Sequence, residues 1–224
     1  MIPLNNQICI LIKGAMENMD VKPRRRDIVI IASAHNPSIM APQWLKDNSL
    51  ILEEPIHFVH TPDFSLFESE SFSLLVDHQR LQITAKKQDD ATLRALANVA
   101  SKYVDLLPHI PYQSLGLNFS WSIEMNEGET LPKIGLNINE TDLNSVFEGH
   151  DVHYGGIIYA RSEIYALKLV IESQENSLIN NFNFHHELKG RSLEDIKQFI
   201  GYFSTRYDDS LSILKNLYSL GEKE

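Results

Sequence analysis

Residues 115–123, Leu-Gly-Leu-Asn-Phe-Ser-Trp-Ser-Ile, alternate apolar with small or polar side chains without a break. Successive side chains on a strand point to opposite faces, so this run specifies a strand with one buried face and one wet face. Leu115, Leu117, Phe119, Trp121 and Ile123 form the first face; Gly116, Asn118, Ser120 and Ser122 form the second. The run Pro132–Glu140 repeats the pattern, with Ile134, Leu136 and Ile138 opposing Gly135, Asn137 and Asn139. A sheet that is polar on one face is antiparallel, because parallel sheets are covered on both.

The first half reads differently. Ile8, Ile10 and Ile12 oppose Cys9 and Leu11, and Ile28 and Ile30 oppose Val29 and Ile31, so these strands are apolar on both faces. They need cover twice. A helix supplies one layer; the irregular stretch Asn36–Pro55, anchored by Trp44 and Leu45, or a second subunit supplies the other.

Two helices are marked by caps. Asp89 or Asp90 opens the first, where a carboxylate suits the positive dipole end. Leu93, Leu96, Ala97, Ala100, Tyr103, Val104 and Leu107 are its stripe, and Pro108 ends it. Ser192 with Asp195 forms a capping box before a longer stripe, Ile196, Phe199, Ile200, Phe203, Tyr207, Leu211, Leu214 and Leu217, with Gly221 as C-cap. Continuous to Leu220, this helix runs about 40 Å. Asp77–Arg80 reads as a tight turn joining two antiparallel strands.

These elements predict an α+β fold of antiparallel sheets, with one helix per half packed on a sheet face. The halves are residues 1–110 and 111–224, forming one compact unit. "YQSLGLNFSWSIEMN" from Tyr112 echoes "NQICILIKGAMEN" from Asn6, which suggests an internal duplication about a pseudo-twofold axis.

"SFSLLVDHQRLQITAKK", the helix after it, "IPYQSLGLNFSWSI" and "FIGYFSTRYDDSLSIL" together resemble a sporadically distributed, uncharacterised prokaryotic protein family. The resemblance starts at about Phe72. The family's "GLxYxN"-like strand reads GLNFSW here, from Gly116 to Trp121, with its tyrosine and asparagine replaced. The resemblance implies no activity and carries over no catalytic residues.

Charge narrows the partners. The net charge is -10, and residues 111–224 hold 9 Lys/Arg against 17 Asp/Glu. Such a chain does not suit a phosphate backbone, so no nucleic acid is expected. "KPRRR", Lys22–Arg26, is the one basic cluster. It reads as a solvated hairpin loop between two strands, with docking of an acidic partner or a phosphate as the alternative. No apolar run is long enough to span a membrane, and no secretory leader is expected. The one cysteine, Cys9, fits a reducing cytoplasm, where it serves as a small buried hydrophobe.

Histidines raise the question of a metal. In "LINNFNFHHEL", Phe182, Phe184 and His186 share the core face, while Asn181, Asn183, His185 and Glu187 share the other. His185 and His186 therefore point apart, and so do His57 and His60. His150, Asp151 and His153 sit in a loop, where their convergence is open. No metal-binding, nucleotide-binding or nucleophile signature is present, so neither metal nor cofactor is expected. The acid pairs Asp208–Asp209 and Glu194–Asp195 lie on solvated helix positions.

The leading reading is a non-enzymatic interaction or regulatory protein that self-associates, with an unidentified protein partner as a further option. The dimer expectation rests on the late helix stripe Tyr207, Leu211, Leu214, Leu217 and Tyr218, which outruns strands of typical length, about 17–20 Å. A second reading is a small polar ligand bound on the polar face by Asn118, Asn137, Asn139, Asn183 and His185. A metal-dependent or hydrolytic enzyme is third.

Overall fold

A computed structural model describes residues 20–124, 155–174 and 177–218. The expected strands at 6–18 and 132–140 lie outside these residues, as do Cys9, Asn137, Asn139, His150, Asp151, His153 and Gly221.

Among the described residues, nine strands form one antiparallel sheet. In chain order they are β1 (Asp20–Ala32), β2 (His57–His60), β3 (Phe64–Glu68), β4 (Phe72–Asp77), β5 (Arg80–Ala85), β6 (Tyr112–Glu124), β7 (Gly156–Arg161), β8 (Ala166–Gln174) and β9 (Ser177–Glu187). Their order across the sheet is β2-β3-β4-β5-β1-β6-β9-β8-β7. The fold is therefore α+β and antiparallel. The first described strand of each half lies at the centre, β1 against β6, and the last described strand of each half returns beside it.

The alternating residues divide as strand parity requires. Ile28, Ile30, Leu115, Leu117, Phe119, Trp121, Phe182 and Phe184 are buried on one face. Over this face lie helices α2 (Asp90–Leu106), α3 (Leu193–Gly201) and α4 (Phe203–Tyr218). Asp89 caps α2 by accepting from the Thr92 amide at 2.7 Å. Ser192 and Asp195 form the capping box of α3. The hairpin β4–β5 turns where Asp77 Oδ1 accepts from the amides of Gln79 and Arg80, each at 2.8 Å.

Buried polar pairs fix the helices on the sheet. Trp121 Nε1 donates to Ser210 Oγ at 2.9 Å, and Tyr218 OH donates to Asn180 Oδ1 at 2.8 Å. At the other end, Tyr103 OH on α2 lies 2.8 Å from His35 Nδ1, while His35 Nε2 lies 3.1 Å from the Ile30 carbonyl. The carbonyl can only accept, so His35 carries its proton on Nε2 and takes the tyrosine hydroxyl on Nδ1.

Three expectations are corrected. The stretch Asn36–Pro55 does contain a short helix, α1 (Pro42–Asp47), with Leu45 fully buried. Yet it packs on the helix-bearing face: Ser65 Oγ, on the buried side of β3, donates to the Met40 carbonyl at 3.1 Å. It does not cover the second face of the first half, where Val29 and Ile31 remain half-buried.

The cluster Lys22–Arg26 is not a loop. It lies inside β1, with a register shift between Pro23 and Arg25 that leaves Arg24 as the extra residue of a bulge. The bulge turns Arg25 to the polar face opposite Ser120 and Arg26 to the core opposite Phe119. Arg26 is 1% exposed, donates through Nε to Gln88 Oε1 at 2.9 Å and lies 5.1 Å from the Tyr207 ring.

The last helix is broken at Tyr202 into α3 and α4. Most of its late stripe is covered within the chain, with Leu214 fully buried, Tyr218 4% exposed, and Tyr207 and Leu211 half-buried, while Leu217 is exposed. The reason is strand length. β6 has 13 residues and β9 has 11, or roughly 43 and 36 Å at about 3.3 Å per residue. Strands this long underlie both helices, so the stripe gives no warrant for a dimer.

Candidate functional site

Among the described residues, the second face of the sheet carries no helix. Reading the register across all nine strands, His57, Glu68, Ser73, Thr84, Asp27, Asn118, Asn183, Lys168 and Tyr159 face one another in turn. Every residue of this transverse row has a polar group. The adjacent row reads Arg25, Ser120, Asn181, Val170 and Ile157 from β1 to β7. Where the two rows meet near the centre, they line an open groove of about 520 Å³.

The floor of the groove is a directional ladder. Asn183 Nδ2 donates to Asn118 Oδ1 at 2.5 Å, and Asn118 Nδ2 donates to Asp27 Oδ1 at 2.8 Å. An ionised carboxylate only accepts, so Asp27 fixes both amide orientations in succession. Among the described residues, Asn118 is left with one free N–H, and Asn183 with one N–H and its carbonyl oxygen. On the adjacent row, Asn181 Nδ2 donates to Glu172 Oε2 at 3.2 Å and keeps its other N–H.

Asp27 is fully buried. Burial raises its carboxyl above the ordinary range, and the Arg25 charge and the Asn118 hydrogen bond partly offset this. Arg25 Nε lies 2.5 Å from Asp27 Oδ2. The contact is an ion pair without hydrogen-bond alignment, which leaves Oδ2 without a directed donor. Arg25 itself is 55% exposed at the side chain, and its Nη groups make no hydrogen bond among the described residues.

Gly116 makes room for the ladder. A Cβ at this position would sit 2.8 Å from Asn183 Nδ2, so only glycine lets that amide lie flat against β6. Lys168 forms the far bank. Its ammonium lies 6.0 Å from the Tyr159 ring, at the outer limit of a cation–π contact.

Of the residues expected to bind a ligand, Asn118 and Asn183 are brought together. His185 lies on the same face, but one row away beside Gly116 and Ala166; it does not line the groove. Asp27, Asn181 and Lys168 join the site without having been named as ligands, and Arg25 joins it from the basic cluster Lys22–Arg26. Strand parity signals the first three: Asp27 has the parity of Val29, Asn181 that of Asn183, and Lys168 alternates with Leu167 and Leu169.

The histidines separate as the parity argument requires. His186 is fully buried on the core face, stacked 4.9 Å from the Phe199 ring, while His185 faces the open side. Among the described residues no three His, Cys, Asp or Glu side chains cluster as metal ligands. Nor is any described helix long and apolar enough to cross a membrane. No protein-family model matches the chain, and no curated protein matches it.

Proposed function

We propose that the protein is a non-catalytic binding module whose open sheet face takes a small polar ligand. One observation carries this reading: the ladder Asn183–Asn118–Asp27 lines a groove on the sheet face opposite the described helices. Stability does not explain its design. A carboxylate with no exposure costs free energy unless well paired, and here one oxygen lacks a directed donor. A solvated sheet face needs no such residue. Pre-ordered amides in a concave site are what small-molecule recognition uses.

The mirrored strand order about β1 and β6, each half closing with helices on the same face, supports an internal duplication. The groove straddles the line between the halves, with Asp27 and Arg25 from one and the other polar residues from the second.

Thermal-shift screening of the purified protein against small polar metabolites tests the reading, with Asn183→Ala as the control. A compound that raises the Tm of the native protein but not of the variant is the expected result. A panel without effect, or a shift that survives Asn183→Ala, would refute it.

A further inference from the structure

The groups free on the groove surface are mainly donors. Asn118, Asn181 and Asn183 each retain an N–H once the ladder and the Glu172 contact are made. Arg25 is held at Nε by Asp27, which leaves the Nη edge of its planar fork for a ligand. Lys168 adds three donors and has no ion-pair partner among the described residues. The one carboxylate lining the groove, Asp27, is buried beneath these groups and already engaged by Arg25 and Asn118.

We propose that the groove is an anion site, in which Arg25 and Lys168 close from opposite banks on one carboxylate or phosphate group seated over the asparagine amides. This rests on the small-ligand reading and narrows it to a chemical class. Arg25 on β1 and Lys168 on β8 stand three strands apart, on the order of 14 Å between backbones. That separation spans a group of a few heavy atoms between two long side chains, with Ser120 and Asn181 lying between them. The basic cluster in the sequence thus contributes one residue to the site. The bulge sends Arg25 to the groove, while its neighbour Arg26 enters the core.

Proton–nitrogen spectra of the side-chain amides of Asn118, Asn181 and Asn183, with Arg25 Nε, test this on the full chain. The probes are inorganic phosphate, succinate and, as a neutral polyol, glucose. Saturable shifts with phosphate or succinate are expected, and they should weaken as sodium chloride is added. Whichever of the two acts at lower concentration identifies the anion as phosphate or carboxylate. Lys168→Gln, at an exposed position that the fold does not need, should weaken binding at least about tenfold. Shifts from glucose alone would overturn the anion inference and leave the small-ligand reading standing. No shift from any probe would overturn both, and anion binding unaffected by Lys168→Gln would overturn the two-bank arrangement.

Discussion

Acid should weaken this fold through one histidine. His186 is fully buried, and neither ring nitrogen has a hydrogen-bond partner. Burial first, and then the Arg206 charge, push its pKa down from 6.5 to about 4. The Ile164 backbone pulls the other way, by less and without hydrogen-bond alignment. Arg206 is fixed in place by its contact with Asp209 and by the Tyr165 ring, 4.3 Å from its guanidinium. It therefore cannot retreat from a second positive charge. The folded pKa lies below the unfolded one, so the unfolded chain binds the proton first. Stability is then full above about pH 6.5 and declines until the folded form also protonates near pH 4. At about 1.4 kcal/mol per unit, the loss approaches roughly 3 kcal/mol. Urea denaturation in steps from pH 7.5 to 4.5 measures it, with His186→Phe as the comparison. Phenylalanine keeps the stack on Phe199 and removes the titration. The variant should be at least as stable at neutral pH and should lose less on acidification. Parallel losses in the two proteins would show that His186 does not carry the acid sensitivity.

Three further outcomes follow from packing. Leu214→Ala, at a fully buried contact of α4, should cost about 2–5 kcal/mol in urea denaturation; a change under about 1 kcal/mol would mean that α4 is not seated on the sheet as described. Tyr218→Phe leaves buried Asn180 Oδ1 without its donor and should cost about 1–3 kcal/mol by the same assay. Gly116→Ala forces aside only the terminal amide of Asn183. It should move the Asn183 side-chain resonances while changing stability by about 1 kcal/mol or less, and a large loss would mean that the backbone there cannot give.

The parts of the fold legible in the sequence were those governed by local rules. Strand parity correctly placed His186 with Phe182 and Phe184, and Asn183 with His185, because the side-chain period of a strand leaves no freedom. Asp89, Pro108 and Ser192 marked helix ends through backbone chemistry that acts within a few residues. What failed depended on distant partners. Charge made Lys22–Arg26 look like a loop, but a bulge and the Tyr207 ring, far along the chain, make a strand of it. The break at Tyr202 directly follows Gly201, a weak helix former, but the apolar stripe that continues past it outweighed that local signal. The overhang expected of the last helix took typical strand lengths where the central strands are longer. The site was half visible for the same reason: Asn118 and Asn183 show themselves by alternation, whereas Asp27 gains its role from a strand 91 residues away.

The seam between β1 and β6 also has a kinetic consequence. Five of the eight strand pairings join neighbours in sequence; β1–β5, β1–β6 and β6–β9 do not. Hairpins close quickly, whereas pairings across long intervening segments pay more loop-closure entropy and form late. The Asn118–Asp27 bond crosses such a pairing, so the groove comes into being only as the two halves zip together. A ligand bridging Arg25 and Lys168 would act as a clasp on that last closure. It should slow unfolding while leaving the folding rate nearly unchanged, because the contacts it stabilises are absent from the transition state. Denaturant-jump kinetics with and without phosphate or succinate would show this as a shift of the unfolding limb alone.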